Sequence, residues 1–166
     1  MIRPLVFHPA LHAMPNPIET PAADDFPHML EVWEAAVRAT HDFLDEADIQ
    51  LLKPLLIGQY FPQLRLSCIR AADGRVAGFL GYAEGKVEML FVDPRVHGHG
   101  IGTALLRDAI ERLGATEVDV NEQNPRALGF YLSQGFVVAG RSPLDGGGRP
   151  FPILHLRLDA PVRPAR

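Results

Sequence analysis

The chain has 166 residues, of which 47% are hydrophobic and 22% charged, and its net charge is −4. That length predicts a single domain with a sizeable core, and the acidic balance argues against a broad nucleic-acid surface. The lone cysteine, Cys68, excludes an internal disulfide and fits a reducing compartment, and no apolar run approaches the ~18 residues of a membrane span.

Met1 to Pro17 carries four prolines and two histidines and shows no periodicity. Residues 1–15 therefore read as a disordered extension, and Met14 is a candidate true start. No apolar stretch follows basic residues there, so no secretory signal is expected, and the chain reads as cytoplasmic. Ile18 to Thr20 reads as a short first strand. Asp24 or Asp25 is placed to cap a helix running to about Ala39, with Met29, Leu30, Trp33 and Val37 at helical spacing. A connector from Thr40 to Leu44 leads to a second helix, opened by Asp45 or Asp48, with a kink expected at Pro54.

Strands follow. Leu64 to Ile69 alternates in character, Asp73-Gly74 signals a hairpin turn, and Val76 to Tyr82 returns. Glu84-Gly85 turns into Val87 to Val92, an apolar run broken only by Glu88 and stopped by Asp93-Pro94. Gly98, Gly100 and Gly102 come next, and Thr103 to Leu113 keeps helical spacing. Glu117 to Val120 reads as a strand, Asn124-Pro125 as a helix start with cap and first-turn proline, and Gly135 as its C-cap. Phe136 to Ala139 and Ile153 to Leu158 are the last strands, joined through a mobile loop or wide hairpin turn over Ser142 to Pro150, and 161–166 is a tail. Residues 16–160 are thus read as one domain.

A strand, a glycine loop and a helix start make an anion cradle. The first amides of a helix lack partners within it, the dipole adds a favourable field, and glycine lets a backbone come close. Arg95 stands near the mouth. Three phosphate-binding patterns compete for this loop. The P-loop needs a lysine before Ser/Thr, which the chain lacks at Ile101-Gly102-Thr103. The dinucleotide fingerprint needs G-x-G-x-x-G, and the spacing here is G-x-G-x-G. Arg95, Gly98 and Gly100 satisfy Arg/Gln-x-x-Gly-x-Gly, which resembles the coenzyme A loop of the GCN5-related N-acetyltransferase (GNAT) superfamily.

A second stretch strengthens the likeness. Asn124, Ala127, Phe130-Tyr131 and Gly135-Phe136 resemble the second signature of that superfamily, at the expected distance downstream. Ala39-Thr40-His41-Asp42-Phe43-Leu44, Val120 to Asn124 and Gly140-Arg141-Ser142 are similar to its bacterial YjaB-like branch, whose members have been linked to peptidyl-lysine acetylation. The resemblance spans about Ile18 to Leu158. It implies an α/β (α+β) fold: a mixed, mostly antiparallel sheet of six to seven strands flanked by about four helices. It implies transfer of acetyl from acetyl-CoA to a primary amine by direct attack in a ternary complex, with protein lysine, a small amine or an antibiotic as acceptor. A silent coenzyme A-binding module is the alternative from another functional class. A monomer or homodimer is expected, with neither nucleic acid nor membrane as partner.

Carried over residue by residue, the resemblance places Leu90, Phe91 and Val92 along the pantetheine arm. Arg95 and the loop His97, Gly98, His99, Gly100, Ile101, Gly102 and Thr103 take the pyrophosphate. Asn124 meets the pantetheine amide, and Tyr131 points at the sulfur as acid. His97 stands where many members have arginine, and at pH 7 an ordinary imidazole is mostly neutral, so cofactor binding is expected to be weaker or to fall with rising pH. The amine must shed a proton, and Glu88 is the candidate base, directly or through water. Each has a plainer reading: Glu88 as a solvated strand residue, Tyr131 as a core aromatic, Asn124 as a helix cap. His41, Asp42 and Phe43 are candidates for the acceptor pocket, although the polar pair also suits caps. His97 and His99, at i and i+2 with no third ligand nearby, are poor zinc ligands, and no metal is expected. His155 reads as a surface strand residue.

Overall fold

A computed structural model describes residues 16–159. The expected N-terminal extension with Met14, and the tail, lie outside the described residues. The strands are β1 (Ile18–Glu19), β2 (Arg65–Arg70), β3 (Val76–Ala83), β4 (Lys86–Val92), β5 (Glu117–Asn121), β6 (Phe136–Ser142) and β7 (Ile153–Leu158). The helices are α1 (Phe26–Thr40), α2 (Glu46–Leu55), the one-turn α3 (Phe61–Gln63), α4 (Ile101–Leu113) and α5 (Pro125–Ser133). The strands form one sheet in the order β1-β2-β3-β4-β5-β7-β6. Every neighbouring pair is antiparallel except β4 and β5, which run parallel.

The period-2 alternation of a strand sends neighbouring side chains to opposite faces, and this sheet uses it to build two cores. Cys68 and Phe79 join Met29, Trp33, Val37, Ile49 and Phe61 under α1, α2 and α3. Ile69 and Leu80, each one residue on, join Leu105, Leu106, Ala109, Val118, Val120 and Leu156 under α4 and α5. Burial pushes the Cys68 thiol up to about 11, so it is an inert core group.

Two local outcomes, at Asp25 and at the end of β6, differ from expectation, and the irregularity expected at Pro54 takes a definite form. Asp25 does not cap α1 with its side chain; its carboxylate accepts from the Ala22 amide and from the Arg70 guanidinium. Pro54 lies inside α2. The proline removes one donor from the helix, and beyond it Leu56–Tyr60 continues as a π-helical turn. Finally, β6 extends to Ser142 because it pairs with β7 along its whole length. At the second helix the capping is as read: Asp45 accepts from the Asp48 amide at 2.9 Å, and Asp48 answers to the Asp45 amide.

Two features of β4 prepare the site. Its parallel pairing with β5 is limited to Lys86 and Val87, so from Glu88 to Val92 the edge facing β5 has no strand partner. Against β3 the register slips: Met89 faces Gly81 while Val87 faces Tyr82. Glu88 is the extra residue of this β-bulge.

Candidate active site

The glycine loop forms where β4 ends. Asp93 accepts the Arg95 amide at 2.9 Å and stops the strand, a 3-10 turn spans Pro94–Val96, and Gly98 (φ 84°) and Gly100 (φ 77°) take the left-handed conformation that turns the chain into α4. Gly100 is the N-cap of α4 and offers no side-chain cap. Among the described residues, no protein group accepts from the amides of Gly98 to Thr103. They are free donors at the positive end of a 13-residue helix.

A cavity of about 380 Å³ runs from these amides along β4 to the C-terminal turn of α1. Leu90, Phe91, Val92, His97, Gly98, Gly100, Ile101, Gly102, Thr103, Asn124, Tyr131 and His41 line it, as do Ala36, Ala39, Thr40, Arg126, Ala127 and Phe130. The sequence assigned none of the last six to the site, although Ala39, Thr40, Ala127 and Phe130 belong to the stretches that carry the resemblance. Arg126 sits in the first turn of α5 and reaches across to within 3.1 Å of His97 Nδ1. Because a guanidinium only donates, that nitrogen is the acceptor and the ring's own proton sits on Nε2. No spacing rule reveals that α5 faces the glycine loop.

Five expected site residues lie outside the lining. Arg95 turns back onto Asp93, with Nη2 2.7 Å from Oδ2 and its side chain 82% exposed. Its guanidinium holds the Asp93 carboxyl below the usual range. Asp93 and Arg95 line a separate crevice with His28, Glu31 and Arg75. The cation near the cradle is therefore Arg126. Glu88 is exposed at its bulge, and the His99, Asp42 and Phe43 side chains also stand beyond the lining.

Asn124 and Tyr131 enter from α5. Asn124 is 8% exposed; Oδ1 caps α5 by accepting from the Ala127 amide at 3.1 Å, which leaves Nδ2 as a donor on the cavity side. Tyr131 is 7% exposed, packed against Phe130 and Phe136 with ring centroids 5.1 and 5.8 Å away. Its hydroxyl makes no hydrogen bond among the described residues, yet no fully buried polar side-chain atom is left without a partner, so the hydroxyl meets the cavity. Burial pushes its pKa up, and the group stays protonated at neutral pH.

The β6–β7 loop is held, not free. Asp145 Oδ1 accepts from the amides of Gly147 and Arg149. Arg149 pairs with Asp48 of α2 and lies 5.1 Å from the Phe151 ring centroid. Phe151 packs against Phe43, and Phe43 against His41, each pair tilted with ring centroids 5.2 Å apart. Across β6, β7 and β5, the strands at this same edge of the sheet, Ser142 Oγ lies 2.7 Å from His155 Nε2, and His155 Nδ1 lies 2.7 Å from Asp119. These three residues line neither cavity and form a cross-strand polar ladder.

The donor set fits acetyl-CoA: unpartnered amides and a guanidinium for a diphosphate, an amide donor and a free strand edge for the peptide-like arm, a hydroxyl for the sulfur. Among the described residues no group of three or more His, Cys, Asp or Glu side chains is placed to hold a metal, and no helix is long and apolar enough to cross a membrane.

Comparisons with known proteins agree. Residues 56–152 match the acetyltransferase (GNAT) domain family. The chain is 37% identical over 128 residues to the peptidyl-lysine N-acetyltransferase YjaB of Salmonella typhimurium, covering 77% of this chain and 88% of that protein. The solution structure of apo-form YjaB from Escherichia coli superposes with a TM-score of 0.78 at 32% identity, covering 86% of this chain and 96% of the other. The fold also matches the PaiA N-acetyltransferase of Thermoplasma acidophilum in complex with coenzyme A, with a TM-score of 0.66 at 20% identity and 86% and 98% coverage. The chain belongs to the GNAT family and is an acetyl-CoA-dependent N-acetyltransferase.

Proposed function

We propose that this enzyme acetylates lysine side chains of proteins or peptides, and that residues 16–160 form its single catalytic domain, working in the cytoplasm. The observation that carries the catalytic reading is the continuity of one cavity from the unpartnered amides of the glycine loop to the Tyr131 hydroxyl. The acceptor class is supported by the relative at 37% identity that bears the name peptidyl-lysine N-acetyltransferase.

In this reading the amides of Gly98 to Thr103, with Arg126, hold the diphosphate, and Asn124 Nδ2 and the free edge of β4 hold the arm. A backbone amide of that edge receives the oxyanion. The amine nitrogen attacks the thioester carbon, the carbon–sulfur bond breaks, and a proton from the nitrogen ends on the sulfur. Tyr131 donates a hydrogen bond to the departing sulfur. A thiol ionises near 8.5, below even an ordinary phenol, and burial raises this phenol further, so the tyrosine acts by steadying the thiolate while the proton arrives from the amine. Glu88, outside the cavity, reaches the amine only through water.

The test is an acceptor panel with acetyl-CoA, containing lysine peptides, free amino acids, polyamines and aminoglycosides, read by mass spectrometry. A gain of one acetyl group on lysine peptides is expected. Acetylation confined to the small amines overturns the acceptor assignment.

A further inference from the structure

The cavity needs a group that accepts a proton from the amine, and few of its lining residues qualify. The titratable or charged side chains there are His41, His97, Arg126 and Tyr131. Arg126 is a permanent cation, and Tyr131 keeps its proton. His97 belongs to the diphosphate loop, with Nδ1 engaged by Arg126. His41 remains.

Its tautomer follows from its neighbours. The Thr40 hydroxyl donates its one proton to the Ala36 carbonyl at 2.8 Å. His41 Nδ1 lies 2.7 Å from that oxygen, which can now only accept. The ring proton is therefore on Nδ1, and Nε2 carries the lone pair. Two further contacts place the residue: its backbone amide closes α1 on the Val37 carbonyl at 2.8 Å, and the Phe43 ring packs against the imidazole at a tilt of 51°.

We propose that His41 Nε2 is the catalytic base of this acetyltransferase. The proposal rests on the N-acetyltransferase reading of the cavity and holds for any amine acceptor. The free amine attacks the thioester carbon, and the carbonyl electron pair moves to oxygen. The adduct's nitrogen is now a strong acid, and Nε2 takes its proton. The adduct collapses, expelling the thiolate, and the imidazolium returns the proton to sulfur. Acetylated amine and free coenzyme A leave, and His41 is neutral again.

The surroundings suit a base that starts neutral and is charged briefly. Burial lowers the His41 pKa below its ordinary 6.5, and Asp42 opposes this in part. The ring is thus unprotonated at pH 7, while Asp42 and the negative end of α1 favour the passing imidazolium. Asp42 comes from the connector itself. Across the cavity stand His97, Arg126 and Tyr131, and beyond the apolar Phe43 and Phe151 rings stands Arg149, which is neutralised by Asp48 and Asp145.

The experiment measures kcat and kcat/KM against pH for the wild type, His41→Gln and Glu88→Gln, with whichever amine the panel shows to be acetylated, and acetyl-CoA binding by calorimetry. Wild-type kcat/KM should show an acidic limb with its midpoint below the ordinary imidazole value. His41→Gln should lose that limb and roughly a hundredfold in kcat while binding acetyl-CoA as before. If His41→Gln does not fold, the wild-type limb decides: imidazole ionises with a large enthalpy, so the limb should move with temperature, whereas a carboxylate limb would not. An unchanged kcat in His41→Gln, a temperature-independent limb, or a limb removed by Glu88→Gln overturns the proposal. A wild type that acetylates no amine at all instead overturns the enzyme reading, and one that spares lysine peptides alone overturns only the acceptor.

Discussion

Tyr131 and Arg126 occupy the same helix and the same cavity, and their different burial predicts different effects of substitution. Tyr131 is packed among aromatic rings with its hydroxyl toward the cavity. Tyr131→Phe keeps those contacts and removes one oxygen, so the protein should fold and bind acetyl-CoA normally. Its kcat should fall roughly a hundred- to a thousandfold, the usual cost of removing one donor aimed at a developing negative charge; a kcat equal to the wild type removes the role. Arg126 is exposed, and a single charge contact in water contributes about 1 kcal/mol. Arg126→Ala should therefore raise the KM for acetyl-CoA roughly fivefold, leave kcat alone, and approach the wild type in high salt as screening removes the advantage. Arg95, the cation visible in the motif, should change KM less, because its charge is already spent on Asp93.

At the scale of elements, what is local proved legible and what is lateral did not. The β4 strand, the glycine turn and α4 announce themselves because each is decided by neighbours in sequence: an apolar run, left-handed glycines, a helical period. Asn124-Pro125 is readable for the same reason. The bulge at Glu88 is not, since it depends on how β4 registers against β3. Nor are the arrival of Arg126 beside His97 or of Ala36 and Ala39 in the cavity wall, which depend on which helices meet across the sheet. Gly78 shows such a lateral constraint plainly. A Cβ there would lie 2.7 Å from Ile101 Cγ2 and 3.2 Å from the Phe91 carbonyl. Ile101 opens α4, so Gly78→Ala should push the helix start outward and misalign the free amides. The expected result is a loss of about 1–3 kcal/mol of stability together with weaker acetyl-CoA binding. A variant destabilised to that extent but with unchanged affinity would mean that α4 does not move and that the core absorbs the methyl elsewhere.

On the scale of the whole molecule, the sheet separates two cores that must be kept in register for the cavity between α1, β4 and α5 to exist. The clamp at the β1 end is Arg70, which closes β2. It donates through Nε to Glu19 of β1 at 2.8 Å, and through Nη1 and Nη2 to both oxygens of Asp25 at 2.9 Å, just before α1. The Asp25 side chain is 15% exposed and that of Arg70 28%. The guanidinium holds the Asp25 carboxyl below its ordinary value in the fold. The unfolded chain therefore takes up the proton first as pH falls. The clamp's stabilisation is present in full above the ordinary carboxylate range, near 3.9, and is lost as pH drops through the lower folded value. Asp25→Asn removes the charge but keeps the shape. In urea titrations at neutral pH it should be less stable by about 1 kcal/mol, and the difference from the wild type should close in acid, where both side chains are neutral. A gap that persists in strong acid would mean that shape, and not charge, fastens α1 to the sheet.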